Sequence, residues 1–491
     1  MGVNLSTISK NNHLKIHISP RVVAIIISIG IALLLFLINP FGIPPFAGKV
    51  IAIGVLMISL WVTEALPMPV VALFPLFLFP LFNIASIDDT APSYANKVIF
   101  LFMGGFMLGL AIEKWNLHKR IALNIVRITG TSGDKIVLGF IIATGFISMW
   151  LSNTSTTMMM FPIAMSVIHV IKEANPHQKG VANFSLAVML SIALASNFGG
   201  IATLIGTPPN VAYAAFINQK YNYTIGFVNW MMICLPLSAL LLYSLYLVMV
   251  KWLYPNGMKK DEATRKLIAN EINNLGKITP AEKRVLLIFS STAFLWITKD
   301  LINSFGFIKL DDSMIAIMGA VALFVFPAKK DSNETLLEWK DTKNMAWGIL
   351  LLFGGGIALA SGLEKAGLIE QLGRWFAHFS FNLFTLILVV TFISLFISEV
   401  MSNIAQVILF APVVSSLAEA ANLHPLLLGI PMTLAASCAS MMPMGTPPNA
   451  IAFSSGYIKI HQMMKVGFIM NLISVLIITL FCWLLLPLVF K

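Results

Sequence analysis

Charge is what this chain has least of. Only 11% of its 491 residues are Asp, Glu, Lys or Arg, against about 25% in an ordinary soluble domain. Cysteine is nearly absent too. Cys234, Cys438 and Cys482 all fall in apolar runs, so a disulfide framework is not expected. Beyond residues 251–284 no long polar stretch leaves room for a separately folding soluble domain. No Walker-type phosphate loop is present, which disfavours ATP-driven work. There is no His-Glu-x-x-His pattern and no nucleophile elbow. His118, His169 and His461 lack ligand spacing, and no paired acid and base stands within an apolar segment. An enzyme is therefore not the expectation, and no cofactor is called for.

What the chain does have is apolar surface. It is 58% hydrophobic, with a mean hydropathy of +0.87. The runs 22–38, 237–250 and 466–490 approach or exceed the roughly 20 residues that span a bilayer. The fold class expected is an all-α polytopic membrane protein. The net charge of +11 would suit nucleic acid, but the basic residues sit in loops, as the positive-inside rule expects. They gather before the first run (Lys10, Lys15, Arg21), around Lys114, Lys119, Arg120 and Arg127, and in a central loop from Lys251 to Arg284 that includes Lys259 and Lys260. The expected partner is a lipid bilayer, with no nucleic acid. The first run is bulky, ends at Asn39-Pro40 and lacks a small-residue cleavage site, so it reads as a retained helix and not as a signal peptide.

The chain repeats itself. Ser152-Asn153-Thr154 recurs 250 positions later as Ser402-Asn403-Ile404, and each is followed by Thr-Pro-Pro-Asn, at 207–210 and 446–449. Gly104-Gly105 matches Gly354-Gly355, Glu113-Lys114 matches Glu364-Lys365, and Phe161-Pro162 echoes Ala411-Pro412. Polar helix breakers in apolar segments are tolerated where protein or a water-filled cavity satisfies the freed backbone. Two matched sets in the same order mark a secondary transporter whose site is built by an internal repeat.

This divides the chain into an N-terminal segment with a first helix (1–48), a first repeat (49–254), a cytoplasmic linker (255–283) and a second repeat (284–491). The tips fall in re-entrant hairpins at about 136–171 and 383–418. The Thr-Pro-Pro breaks fall in interrupted helices at about 183–217 and 424–455. With about 11 transmembrane helices besides the two hairpins, each half has an odd number of crossings, so the repeats are inverted. The N-terminus, the central loop, and the loop holding Lys329, Lys330, Lys340 and Lys343 then face the cytoplasm and the C-terminus faces outside.

The breaks carry the chemistry. Threonine before proline makes a good N-cap with proline in the first turn, and Pro208 pushes Thr207 out of the helical region. A half-helix starting there presents N–H groups and a positive dipole end suited to an anion. Gly206 closes the preceding half-helix, whose free carbonyls suit a cation such as sodium. The same holds for Gly445-Thr446-Pro447. The Ser-Asn tips offer hydroxyl and amide donors to carboxylates, and oxygens to a hard cation. Proline kinks or hairpin caps would explain either motif alone; their pairing and duplication favour a site. Met158-Met159-Met160 reads as packing or lipid contact. Glu64 reads as interfacial, and Glu399 as an anchor of the hairpin tip or a tuner of the cation site.

These motifs, together with Trp61-Val62-Thr63-Glu64-Ala65-Leu66, resemble the divalent anion–sodium symporter family of dicarboxylate, citrate and sulfate carriers, over nearly the whole chain. The resemblance implies a homodimer, each protomer with a scaffold and an elevator-like transport domain. It implies sodium near Ser148, Ser152, Asn153 and Gly206, and a second sodium near Ser398, Met401, Asn403 and Gly445. Substrate carboxylates would meet Asn153, Thr154, Thr207, Asn403, Thr446 and Pro447, with Ser152 and Ser402 of the same tips. The function implied is sodium-coupled uptake of C4-type dicarboxylates in a bacterial inner membrane. Sodium-independent exchange is the alternative within the family, and a passive anion channel the alternative outside it. One departure stands out. The family's second tip is usually Ser-Asn-Thr; Ile404 removes a hydroxyl, which implies a shifted substrate preference.

Overall fold

The computed structural model describes residues 19–38, 44–174, 180–258, 262–329, 333–368 and 382–489. Lys10, Lys15, Lys259, Lys260, Lys330 and the Asn39-Pro40 stop lie outside them. Among the described residues the chain is helical, with one isolated bridge between Pro327 and Thr335.

Among the described residues ten helices are long and apolar enough to cross a membrane, and shorter apolar helices lie at Met68–Leu81, Asp312–Val325, Leu383–Ser398 and Leu426–Ala436. Helix α1 spans Pro20–Ile38, α2 Pro45–Val62, α3 Met68–Val71, α4 Phe74–Leu81 and α5 Ile87–Thr90. Then follow α6 (Lys97–Lys114), α7 (Leu117–Thr129), α8 (Gly133–Ser148), α9 (Asn153–Ala174), α10 (Gly180–Gly200), α11 (Pro208–Tyr221) and α12 (Phe227–Tyr246). Beyond α13 (Glu262–Asn274) come α14 (Pro280–Ser304), α15 (Asp312–Val325) and α16 (Trp347–Lys365). The last described elements are α17 (Leu383–Ser398), α18 (Asn403–Ala420), α19 (Leu426–Ala436), α20 (Pro447–Phe453) and α21 (Ile460–Val489).

The ends of these helices are set by local chemistry. Thr279 and Glu282 close a full capping box on α14, which satisfies two end donors reciprocally. Asp311 caps α15 through Ser313 N and Met314 N, and Asn382 caps α17 through Thr385 N. Prolines open α2, α11 and α20, where a missing N–H costs nothing.

The two halves interlock. A methyl group on Gly104 would lie 2.6 Å from the Ala316 backbone, and one on Gly355 would lie 2.3 Å from Ala72 O. The glycine pairs thus let α6 of the first half pack on α15 of the second, and α16 of the second pack on the α3–α4 corner of the first. Polar ties join loops on one face. Lys114 Nζ lies 2.8 Å from Asp341 Oδ2, and Arg120 grips Glu282 through Nε–Oε1 at 2.8 Å and Nη2–Oε2 at 3.2 Å. Burial opposes ionisation of Asp341, but the Lys114 ammonium and the Glu338 N–H outweigh it and hold that carboxyl below its usual range. Lys251 bonds Asp134 at 2.7 Å. At the other ends of the helices, Lys220 pairs with Glu419 at 3.2 Å and Tyr213 Oη donates to Pro425 O at 3.1 Å.

Candidate functional site

Each Ser-Asn tip sits between two antiparallel arms, α8 and α9 in the first half and α17 and α18 in the second. The local wiring repeats. Ser148 Oγ lies 2.8 Å from Asn153 Oδ1 and 2.8 Å from Ser196 O. Ser398 Oγ lies 2.7 Å from Asn403 Oδ1 and 2.6 Å from Ala436 O. In each half a buried serine therefore locks the tip asparagine to the helix that carries the break.

The breaks repeat as well. Thr207 and Thr446 are extended, with φ of −142° and −143°, and helices start at Pro208 and Pro447. The asparagine of each Thr-Pro-Pro-Asn motif reaches back over the break: Asn210 Nδ2 donates to Thr203 O at 2.8 Å, and Asn449 Nδ2 to Met442 O at 3.1 Å. Capping differs between the halves. Thr446 Oγ1 accepts from Asn449 N at 3.4 Å, whereas Thr207 makes no side-chain cap bond.

Tips and breaks converge on one cavity of about 800 Å³. Its walls include Ser152, Asn153, Thr154 and Thr207 from the first half, and Met401, Ser402, Asn403, Gly445, Thr446 and Pro447 from the second. Ser148 and Ser398, fully buried, and Gly206 do not reach its surface; they lie behind the tips. Ile404 lines the wall where a threonine would offer a hydroxyl. No lysine, arginine or histidine is among the lining residues, and Glu64 is their one ionisable side chain. Glu64 holds φ at 49°, a left-handed conformation uncommon for a residue with a side chain. A second cavity of about 340 Å³ lies among Leu123, Met159, Pro162 and Leu267 and touches no residue of the Ser-Asn tips or the Thr-Pro-Pro breaks.

Oxygen atoms crowd both glycines that precede the breaks. A methyl group on Gly206 would lie 2.4 Å from Gly200 O, 2.9 Å from Ser148 O and 3.0 Å from Met149 O. One on Gly445 would lie 3.3 Å from Met442 O, 3.4 Å from Glu399 Oε2 and 3.6 Å from Glu399 O. Carbonyl and carboxylate oxygens are what a hard cation takes as ligands, so both neighbourhoods fit such an ion.

One residue at the site escapes the motif reading. Asn153 Nδ2 donates to Asn197 Oδ1 at 3.3 Å, and Asn197 Nδ2 donates to Thr446 Oγ1 at 3.3 Å. Asn197 bridges the halves, and the signal for it in the sequence was an amide beside Ser196 near the end of a largely apolar helix. Glu64, read from the sequence as interfacial, lies on the cavity wall, a place that depends on how the corner after α2 packs.

Matched polar tips and helix breaks that meet at one cavity inside an apolar helical bundle are the construction of a secondary transporter. The chain belongs to the sodium:sulfate symporter transmembrane family, whose pattern matches residues 17–489, in agreement with the motif resemblance. It is 39% identical over 465 residues to a sodium-dependent dicarboxylate transporter of Staphylococcus saprophyticus subsp. saprophyticus, covering 93% of this chain and 89% of that relative. It is 39% identical over 466 residues to a transporter of the same name from Staphylococcus aureus strain USA300, with the same two shares covered. A solved structure of MtrF from Neisseria gonorrhoeae, an antimetabolite efflux pump, superposes with a TM-score of 0.49 at 12% identity, over 81% of this chain and 83% of that one; that likeness is too slight to argue from.

Proposed function

We propose that this protein is a secondary active transporter that couples sodium to the uptake of C4-type dicarboxylates. The observation that carries the reading is the cavity itself. It is faced by both hairpin tips and both break N-termini, and no cationic side chain lines it. A dianion entering an apolar bundle must be balanced, and helix N-termini and neutral donors supply only part of the compensation. Sodium held at the oxygen-rich surroundings of Gly206 and Gly445 would supply the rest, which couples the two solutes. The names of the Staphylococcus relatives support both the ion and the substrate class.

In this reading the first cation meets Ser148, Ser152, Asn153 and Gly206, and the second meets Ser398, Met401, Asn403 and Gly445. Substrate carboxylates meet Ser152, Asn153, Thr154, Thr207, Ser402, Asn403, Thr446 and Pro447. The repeats are inverted, and the tips and breaks move together against a scaffold in an elevator-type cycle, within a homodimer in the bacterial plasma membrane. The basic loops would face the cytoplasm and the C-terminus outside. The cavity is edged by Val62 to Glu64 and by Ala346, just after the turn that holds Asp341 against Lys114. These neighbours of the cavity support an opening toward the basic face and an inward-facing state.

The test is uptake of radiolabelled succinate into proteoliposomes, with an inward sodium gradient or with choline in its place, empty or preloaded with dicarboxylate. Sodium-dependent uptake into empty vesicles is expected. Uptake that needs preload and ignores sodium would replace symport by exchange.

A further inference from the structure

The halves repeat the same motifs without the same electrostatics. Glu399 and Met149 occupy equivalent places, each directly after the serine that bonds its tip asparagine. Glu399 is 5% exposed. Its Oε1 accepts from Ser440 N at 2.8 Å and Met441 N at 2.9 Å, and its Oε2 from Met441 N and Met442 N at 3.1 Å each. From α21, Asn471 Nδ2 donates to Oε1 at 2.6 Å. Among the described residues no lysine, arginine or histidine pairs with this carboxylate.

The backbone around it differs accordingly. Helix α10 runs to Gly200, six residues short of Gly206, whereas α19 stops at Ala436, nine residues short of Gly445. In the first half Ala202 N still closes a turn onto Gly199 O at 3.0 Å. The corresponding N–H groups in the second half have left the helix and point at the carboxylate. Successive backbone N–H groups converging in this way form an anion-binding nest, and here the protein fills it with its own side chain. The filled nest lies next to a candidate cation ligand, since Glu399 Oε2 and Glu399 O are two of the three oxygens nearest a methyl group built on Gly445. The oxygens nearest the equivalent point at Gly206 are all neutral carbonyls.

We propose that Glu399 is the positioning residue of the second-half cation site. Its carboxylate holds residues 440–442 unwound, and its unpaired charge is the fixed counter-charge that makes this site bind the coupling cation more tightly than the first-half site. Burying a lone carboxylate in an apolar bundle is costly, and four protein donors with a cation opposite offset that cost. The inference rests on the proposed function above, since it takes the surroundings of Gly445 as a cation site.

The experiment measures half-saturating sodium for succinate uptake in proteoliposomes, with the sodium-induced rise in Tm in detergent as a readout that needs no transport. Glu399→Gln keeps the shape but places an NH2 donor against the N–H nest and removes the charge. Half-saturating sodium should rise tenfold or more, and the sodium-induced rise in Tm should shrink. A purely structural role would lower the maximal rate and leave half-saturating sodium within twofold of wild type, which overturns the proposal. If Glu399→Gln yields no folded protein, Glu399→Asp decides. Its carboxylate is one methylene short of the nest, so half-saturating sodium should rise at least threefold, and a wild-type value overturns the proposal. Wild-type protein with no sodium-dependent uptake and no sodium-induced rise in Tm would overturn the functional reading itself, an outcome distinct from failure at Glu399 alone.

Discussion

The Asn197 amide donates to the Thr446 hydroxyl at 3.3 Å, across 249 positions of sequence, and so ties the helix that ends at the first break to the residue that starts the second. The same asparagine accepts from Asn153 of the first tip. One fully buried amide thus joins three of the four polar elements at the cavity. Asn197→Ala should remove the bonds to both Asn153 and Thr446, each worth about 0.5–1.5 kcal/mol net. The KM for succinate should rise roughly tenfold or more with sodium dependence retained, as measured by initial uptake rates in proteoliposomes.

The two break glycines should respond unequally to alanine. In Gly206→Ala the new methyl meets Gly200 O at 2.4 Å and Ser148 O at 2.9 Å, both backbone atoms. Such overpacking costs about 1–3 kcal/mol, and it displaces the very carbonyls proposed to hold a cation. Uptake should fall at least about tenfold, taking about 1.4 kcal/mol as one decade. In Gly445→Ala the nearest atom is 3.3 Å away and the others are at ordinary contact distances, so the backbone need shift little and the loss of uptake should be smaller than in Gly206→Ala, showing chiefly as a raised sodium requirement. Parallel uptake assays on the two variants check the contrast.

Ile404 puts an apolar side chain on the cavity wall at the position where its repeat partner Thr154 carries a hydroxyl. Ile404→Thr should restore a donor, and a hydrogen bond to a charged group is worth about 1.5–3 kcal/mol. The ratio of uptake efficiencies for succinate against citrate, 2-oxoglutarate and aspartate should change by roughly tenfold or more. An unchanged profile across that panel would remove Ile404 from the account of selectivity.

Arg120 and Glu282 form a bidentate pair whose side chains are 15% and 4% exposed. Removing one partner leaves a buried charge, at a cost of about 3–5 kcal/mol. Arg120→Ala should lower the Tm in detergent clearly, and the double change Arg120→Met with Glu282→Gln, which removes the charge and keeps a capping-box residue at that position, should recover part of the loss. Succinate KM in the folded fraction should stay near wild type, since neither residue reaches the cavity.

Sidedness has a direct check. Lys277 and Ala421 are both exposed, and the proposed topology puts them on opposite sides of the membrane. An impermeant maleimide applied to intact cells should label Ala421→Cys and spare Lys277→Cys, with the reverse in inside-out vesicles.

Much of this architecture is legible from local rules. The Thr-Pro pairs dictate where α11 and α20 begin, because proline lacks an N–H and forces the preceding residue out of the helix; Thr207 and Thr446 are extended as that requires. Apolar runs and their polar interruptions place the helices to within a few residues, although the apolar segment Met68–Leu81 is divided by a turn between α3 and α4. Glycine pairs mark the close contacts that interlock the halves. The chemistry around the breaks was less legible. That Asn197 bridges the halves, that Glu64 faces the cavity, and that Glu399 accepts from 440–442 are matters of which side chains meet after packing.

The sequence by itself determined the all-helical membrane class, the internal duplication and the four places where helices break. Those features follow from apolar length, composition and proline stereochemistry, which act within a few residues. Only the tertiary structure decided that the breaks and tips share one cavity, that its wall lacks a cationic side chain, and that the second break is wider than the first. Those outcomes depend on contacts such as Asn197–Thr446 and Glu399–Ser440, between residues far apart in the chain, whose meeting no local propensity encodes.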